Sequence, residues 1–283
     1  RPLQSACPFD GEHERTMSGF SISWLDLREG ADHAARDKPL ASAALQFLDK
    51  PHGALLVDLG AGTGSTLRAL SALAPAGGAY IVWRLVDHDG ALLDEALRRH
   101  GTHCVIEDHQ CDLAQVAELP LGGATLVSAS ALFDLASPDF ATALLARLQA
   151  QGTALYAALN YDGRTQWSPP HPLDAAVLDA FNRDQRTEKG LGSGPALGPH
   201  ACAWLQAHCA ALGYQVQTAR SDWQLGPADA ALVRELITGI ARAVAVEYDL
   251  DPGALHEWKT FRLAHADSGT CLVGHLDLLA TPG

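Results

Sequence analysis

Between residues 54 and 160 the chain alternates short apolar runs with stretches whose apolar positions recur at helical spacing. Ala54–Leu59 (ALLVDL) is a continuous apolar run ending at Gly60, the pattern of a strand buried on both faces. Residues 65–74 follow as a helix, 80–86 (YIVWRLV) as a second strand, and 91–100 as a helix stopped by Gly101. A third strand is predicted over 103–107 and a fourth over 124–129. A helix over 140–150 and a fifth strand over 153–159 complete the alternation. This rhythm predicts an α/β fold built on a doubly wound parallel sheet.

The flanks follow other patterns. Residues 1–20, with Pro2, Pro8, Gly11 and Gly19, predict a loose arm, and Pro39 divides the helical spacing of 23–48 into two helices. After Asn160, the stretch 161–200 is rich in proline and carries GLGSG at 190–194, with one helix predicted over 173–186. An excursion of this length predicts a cover over a functional site. Beyond it come a helix over 200–212, a strand over 214–223, an amphipathic helix over 228–246, a helix over Pro252–Ala264 and a closing strand over 270–279. The expected organisation is an arm and helix pair over 1–50, then one domain over 51–283 with insertions near 161–200 and 226–266.

Composition narrows the class. Of 283 residues, 47% are hydrophobic and 19% charged, so a large core is available and disorder is excluded. The formal charge of −13 argues against nucleic acid or an anionic membrane as partner. Six cysteines with no CxxC fit a reducing compartment. The N-terminal segment lacks the basic-then-apolar pattern of an export signal, and no apolar run is long enough to span a bilayer. The expectation is a soluble cytoplasmic protein, monomer or homodimer.

The sharpest chemical signal is Val57-Asp58-Leu59-Gly60-Ala61-Gly62-Thr63-Gly64, at the turn from first strand to first helix. Glycines there let backbone approach a ligand and adopt turn conformations that other residues resist. A dinucleotide fingerprint needs glycine or alanine three beyond the second glycine, and Ser65 stands there instead. The third glycine comes one residue early, and an acid precedes the loop. In this the segment resembles the (D/E)-x-G-x-G-x-G motif of the class I S-adenosylmethionine-dependent methyltransferases, over roughly residues 53–160. The resemblance implies a seven-stranded Rossmann-like sheet with helices on both faces, added lid helices, and S-adenosyl-L-methionine as cofactor. It assigns Asp58, Gly60, Ala61, Gly62 and Gly64 to that cofactor.

Further positions follow in the same order. Asp87 ends the second strand, where a carboxylate can accept both ribose hydroxyls, and its neighbour His88 can stack on adenine. The resemblance implies that Asp112, with Cys111 and Leu113, meets the adenine; Asp112 would equally cap a helix over 114–119. Ala129 and Ser130, after the fourth strand, neighbour the cofactor by the same resemblance, with Phe133 and Asp134 facing the acceptor. Arg36 is either the ligand of the methionine carboxylate or the partner of Asp32 or Asp37.

Methyl transfer from a sulfonium needs alignment, dryness and, for a protic acceptor, a place for the proton. The candidates are His171, flanked by prolines and matched in pKa, with Asp134 and Tyr161; Asn160, Arg164 and Trp167 are candidate acceptor contacts. The spacing of Asp134, Asn160 and Asp162 does not match a divalent-metal site, and Cys202 and Cys209 read as core cysteines. The YDLDPG segment at 248–253 reads as a helix break and cap. The resulting expectation is a methyltransferase acting on a small molecule. A non-catalytic cofactor binder and, more distantly, a nicotinamide oxidoreductase are the rival readings.

Overall fold

The structure, a computed structural model, describes residues 21–74, 80–245 and 250–283. The arm predicted over 1–20, Cys7, and the first two residues of the 248–253 segment lie outside the described residues.

The strands are β1 (Ala54–Leu59), β2 (Ile81–Asp87), β3 (Val105–Gln110), β4 (Leu126–Ser130), β5 (Ala154–Ser168), β6 (Tyr214–Arg220), β7 (Trp223–Leu225) and β8 (Thr270–Pro282). They form one sheet in the order β3-β2-β1-β4-β5-β8-β6, with β7 also paired to β8. The first five run parallel, and β8 is antiparallel to β5, β6 and β7. Eight strands therefore stand where seven were expected. The difference lies in 214–223, which breaks at Ser221 and Asp222. There the Asp222 carboxylate accepts the backbone N–H of His275 (3.2 Å), so a side chain replaces a rung of the ladder.

The larger departure is β5, which does not stop at Leu159 but pairs with β8 out to Ser168↔Thr270, with register shifts after Ala157 and Tyr161. Part of the expected cover is thus sheet. The alternation of apolar and polar side chains is lost there, where Arg164 pairs with both Asp162 and Asp222. Gly274 of β8 makes room for them: a Cβ there would fall 2.1 Å from Asp162 Oδ1.

The helices are α1 (Ile22–Ala35), α2 (Lys38–Phe47), α3 (Ser65–Ser71), α4 (Gly90–His100), α5 (Pro138–Gln151), α6 (Asp174–Asp184), α7 (Ala201–Ala211), α8 (Ala230–Val244) and α9 (Pro252–Ala264). Side chains of Ser21, Asp37, Asp89, Ser137 and Asp251 accept the free N–H groups that open α1, α2, α4, α5 and α9. The break between α1 and α2 falls at Arg36 and Asp37, not at Pro39, which sits in the first turn of α2 where its missing N–H costs nothing.

Two cores lie on opposite sheet faces. Phe133, Phe140, Leu144, Leu205 and Cys209 pack on one, and Leu40, Leu48, Leu67, Leu70 and Leu93 on the other. Cys202 and Cys209 belong to the first, and burial pushes their thiols up to about 11 and about 12. A third core joins α6, α8 and α9 to the distal parts of β5 and β8, with Trp24, Leu27 and Ala31 of α1 packed against it. α1 thus lies between this roof and the parallel sheet.

One buried carboxylate ties these layers. Asp277 on β8 accepts the backbone N–H of Leu159 (2.7 Å) and that of Asp37 (3.0 Å). Leu159 has φ +55°, a left-handed conformation that a leucine adopts only under constraint. Replacing Asp277 with Ala leaves both amides without an acceptor, and a loss of about 2–4 kcal/mol is expected in urea denaturation. A loss below about 1 kcal/mol would show that the tie is dispensable.

Candidate active site

The sheet reverses its winding between β1 and β4, which lie side by side although their connections lead to opposite edges. A crevice opens at such a switch point, at the carboxyl ends of the strands, where loops leave in opposite directions. The glycine loop sits there. Gly60, Gly62 and Gly64 have φ of +67°, +53° and +82°, all in the left-handed region. The amides of Gly60 and Ala61 bond to the Val86 carbonyl (2.8 and 3.1 Å), which folds the loop across β2. A Cβ on Gly60 would stand 3.2 Å from Leu132, and one on Gly62 would stand 3.1 Å from Leu25 of α1. These two leucines wall the cradle.

Asp87 closes the loop from beneath. Its Oδ2 accepts the Gly62 amide (2.8 Å) and its Oδ1 the Asp89 amide (3.0 Å), with His88 Nδ1 3.4 Å from Oδ1. Each carboxylate oxygen keeps a further lone pair for a ligand. His88 Nε2 is buried without a partner. Farther along this edge the Cys111 amide bonds to the Asp87 carbonyl (3.0 Å), and Leu113 is buried. Asp112 is exposed and its Oδ1 accepts the Ala114 amide (2.9 Å) two residues on, but it caps no helix: in place of the expected 114–119 helix stands a single 3-10 turn over Val116–Glu118 whose N-cap is Gln115.

On the other side of the loop, four elements meet around Asp58 and Arg36. Asp58 is 1% exposed; its Oδ1 accepts the Ser128 hydroxyl (2.6 Å), and its Oδ2 has no partner. Arg36 is 4% exposed, donating to the Tyr156 hydroxyl (3.3 Å) and to Ser130 (3.1 Å), while its Nε has no partner. Ser130 also shares a hydrogen bond with Thr66 (3.1 Å), and Ala129 is fully buried beside it. Of the two roles open to Arg36 in the sequence, the ion pair with Asp32 or Asp37 does not form; Asp32 pairs with Arg28. Burial pushes the Asp58 carboxyl up to about 6, against the opposing pull of Ser128 and Arg36.

α1 is strapped over the loop. Glu29 forms an ion pair with Arg68 of α3, which also donates to the Thr63 carbonyl (2.6 Å). Asp26 pairs with Arg99 of α4 (2.7 Å), and His33 hydrogen-bonds Ser65 (3.1 Å). The sequence showed no sign of this clasp, because its members are dozens of residues apart.

Beyond β4 and β5 lies a second cluster. Asp134 and Asn160 are buried, and Oδ1 of each has no partner. The Asn160 amide nitrogen is held by the carbonyls of Ala157 and Leu276 (3.1 Å each). Burial pushes Asp134 up to about 6 and Tyr161 up to about 12; the Tyr161 hydroxyl donates to Asn182 (2.9 Å). His275 of β8, absent from the sequence-derived set, stands with its ring 5.1 Å from Trp223 and 6.3 Å from Tyr161. It is 6% exposed, Nδ1 is unpartnered, and burial lowers it to about 4, so it is neutral near pH 7. Arg28 lies 5.3 Å over Trp223, whose indole N–H donates to Asp32 (2.9 Å). A separate cavity of about 490 Å³ opens outward between Asp162, Arg164, Asn182, Arg186 and His200.

Four other predicted residues have different surroundings. His171 accepts the Leu173 amide on Nδ1 (3.1 Å) and packs its ring 5.0 Å from Phe261 of α9. Trp167 lies between Trp258 and the Arg262 guanidinium, within the roof. Arg164 is held by Asp162 and Asp222, and Phe133 is wholly buried in the core of the sheet face. None of these contacts reaches the glycine loop.

No family model matches the chain, and no curated protein does. Solved structures do match. YjhP from E. coli superposes with a TM-score of 0.50 at 15% identity, over 92% of this chain and 98% of that one. A SAM-dependent methyltransferase from Thiobacillus denitrificans, in complex with S-adenosyl-L-homocysteine, gives 0.48 at 14% identity, over 93% and 99%. The chain shares with YjhP a Rossmann-like α/β fold, its parallel strands closed by an antiparallel pair. The residues present fit the S-adenosylmethionine that the sequence resemblance implies. Asp58 Oδ2 and Arg36 Nε offer an acceptor and a cationic donor for the ammonium and carboxylate of an amino acid.

The raised carboxyl of Asp58 has a measurable sign. The folded state holds the proton more tightly than the unfolded chain, so the charge costs stability once pH rises through about 6, and nothing below about 4. Asp58→Asn is expected to stabilise the ligand-free protein at pH 7 by about 1–3 kcal/mol, with the gain vanishing near pH 4. Equal stability of the two proteins at pH 7 would show that the buried charge is compensated.

Proposed function

We propose that the protein is an S-adenosylmethionine-dependent methyltransferase acting on a small-molecule acceptor. The observation that carries this reading is the pair of buried, unpartnered groups, Asp58 Oδ2 and Arg36 Nε, beside three left-handed glycines at the switch point of the sheet. A buried hydrogen-bonding atom left unused on a carboxylate or a guanidinium costs stability, and a zwitterionic ligand end satisfies both atoms at once. In this reading Asp87 takes the ribose hydroxyls, His88 and Leu113 flank the adenine with Cys111 and Asp112 at its rim, and Ser130 lies near the methionine end.

The cofactor supplies a methyl group already activated by its positive sulfur. The protein's task is to align the acceptor, hold it dry and receive its proton. Asp134 is the group best suited to the proton, with Asn160 and Tyr161 as contacts; His171 is engaged by its own turn and by Phe261. A roof with its own core, closed over the strand ends, supports an acceptor small enough to be enclosed. The charge of −13 supports the same choice over nucleic acid.

Calorimetry is expected to show binding of S-adenosylmethionine and S-adenosylhomocysteine, and the absence of both would overturn the reading. Gly62→Val and Asp87→Ala should each weaken that binding at least about tenfold, or 1.4 kcal/mol, while the fold survives. Affinity unchanged in either variant would remove that residue from the site. Transfer of a labelled methyl into a metabolite extract then separates an enzyme from a binder.

A further inference from the structure

The unpartnered atoms beyond β4 and β5 carry information about the acceptor. Asp134 Oδ1 and Asn160 Oδ1 are both hydrogen-bond acceptors, both buried, and both unused. Burial of such atoms without a donor is costly, and native proteins keep them for a reason. The donors nearby are already committed. Arg28 is bound through two nitrogens to Asp32 (2.8 and 3.2 Å). Arg164 is shared between Asp162 and Asp222, and the indole N–H of Trp223 goes to Asp32. His275 is neutral, held so by burial and by the charge of Arg28, and brings no cation. Among the described groups of this cluster (Arg28 and Asp32 on α1, Tyr161, Asp162 and Arg164 on β5, Asp222 just before β7, Trp223 on β7, His275 on β8), Asp134 alone is a carboxylate with no ion-pair partner, the charge of Arg28 nearby being taken up by Asp32.

From this geometry we infer, building on the methyl-transfer reading, that the acceptor is a small amine whose N–H groups sit on Asp134 and Asn160, beside the rings of Tyr161 and Trp223. A neutral hydroxyl brings one donor and leaves one of the two oxygens unsatisfied, whereas an ammonium or primary amine brings two or three. A carboxylate or phosphate acceptor would meet Asp134 with like charge. The aromatic rings add attraction for a cation.

The chemistry balances with the groups present. An ammonium proton passes to the Asp134 carboxylate and frees the nitrogen lone pair. That pair forms the N–C bond to the methyl as the C–S bond breaks, its electrons staying on sulfur. The positive charge moves from sulfur to nitrogen, and Asp134 later returns its proton to solvent. A carboxyl raised by burial to about 6 holds such a proton more readily than an ordinary aspartate.

The test is calorimetry with matched triplets on shared carbon skeletons, beginning with phenethylamine, 2-phenylethanol and phenylacetate, with and without saturating S-adenosylhomocysteine. The amines are expected to bind at least about tenfold more tightly than their alcohols, with affinity falling as pH drops through 6. Asp134→Asn should erase the preference while leaving S-adenosylhomocysteine affinity intact. Asn160→Asp should increase the preference, and serves as the second variant if the first does not fold. Alcohols or carboxylates binding as tightly as amines, or no amine binding, would overturn the proposal. S-adenosylhomocysteine failing to bind while the amine preference persists would instead overturn the methyl-transfer reading and leave the amine seat standing.

Discussion

Asp277 is fully buried on β8, and two remote segments converge on its carboxylate. It accepts the amide of Leu159, where β5 twists through a left-handed residue, and the amide of Asp37, where α1 turns into α2. The first contact steers β5 past the expected strand end and out into the roof. The second fixes the corner carrying Arg36, so that its guanidinium reaches Tyr156 and Ser130 at the strand ends. Burying a carboxylate this deeply is unfavourable by itself, and burial raises its pKa. The amide donors offset that cost and convert it into geometry, because only one arrangement of the three segments satisfies them together.

Around this tie the molecule separates two kinds of space. The cofactor crevice is built from the sheet and the short glycine turn, and its polar groups are held by backbone amides of neighbouring strands. The second, proposed for the acceptor, is bordered by α1, β5, β7 and β8, where aromatic rings and ion pairs cluster. α1 belongs to both. One side meets Gly62 and Arg68 through Leu25 and Glu29, and the other meets the roof through Trp24, Leu27 and Arg28. The same helix therefore packs against both the glycine loop and the roof. Unpartnered atoms fall on each side of it: those of Asp58 and Arg36 beside the glycine loop, those of Asp134, Asn160 and His275 beyond β4 and β5.

The cofactor half was legible in the sequence for a local reason. Strand, turn, glycines and Asp87 lie within about thirty residues, and each announces itself through its own periodicity or conformational need. The acceptor half was legible only in part. Asp134 and Asn160 were candidates because they follow the fourth and fifth strands as the sequence predicts them. His275 and Arg28 stand in ordinary stretches of strand and helix, nearly the length of the chain apart, and no spacing rule joins them. The distal part of β5 was hidden because NYDGRTQWS carries polar residues and a glycine, which read as loop until β8 supplies the partner for both backbone and charge.

What the sequence determined by itself was the order of strands and helices, the glycine cradle and the acids at its edge. Those features depend on side-chain periodicity and on backbone conformations that only glycine adopts freely. The tertiary structure alone decided that β5 and β8 continue into a roof, that Arg36 turns inward toward Asp58 rather than pairing with its neighbours, and that Asp134 is left without a counter-charge. Those outcomes are sums over contacts between residues far apart in the chain. Burial and pairing are properties of such contacts, and no segment carries them alone.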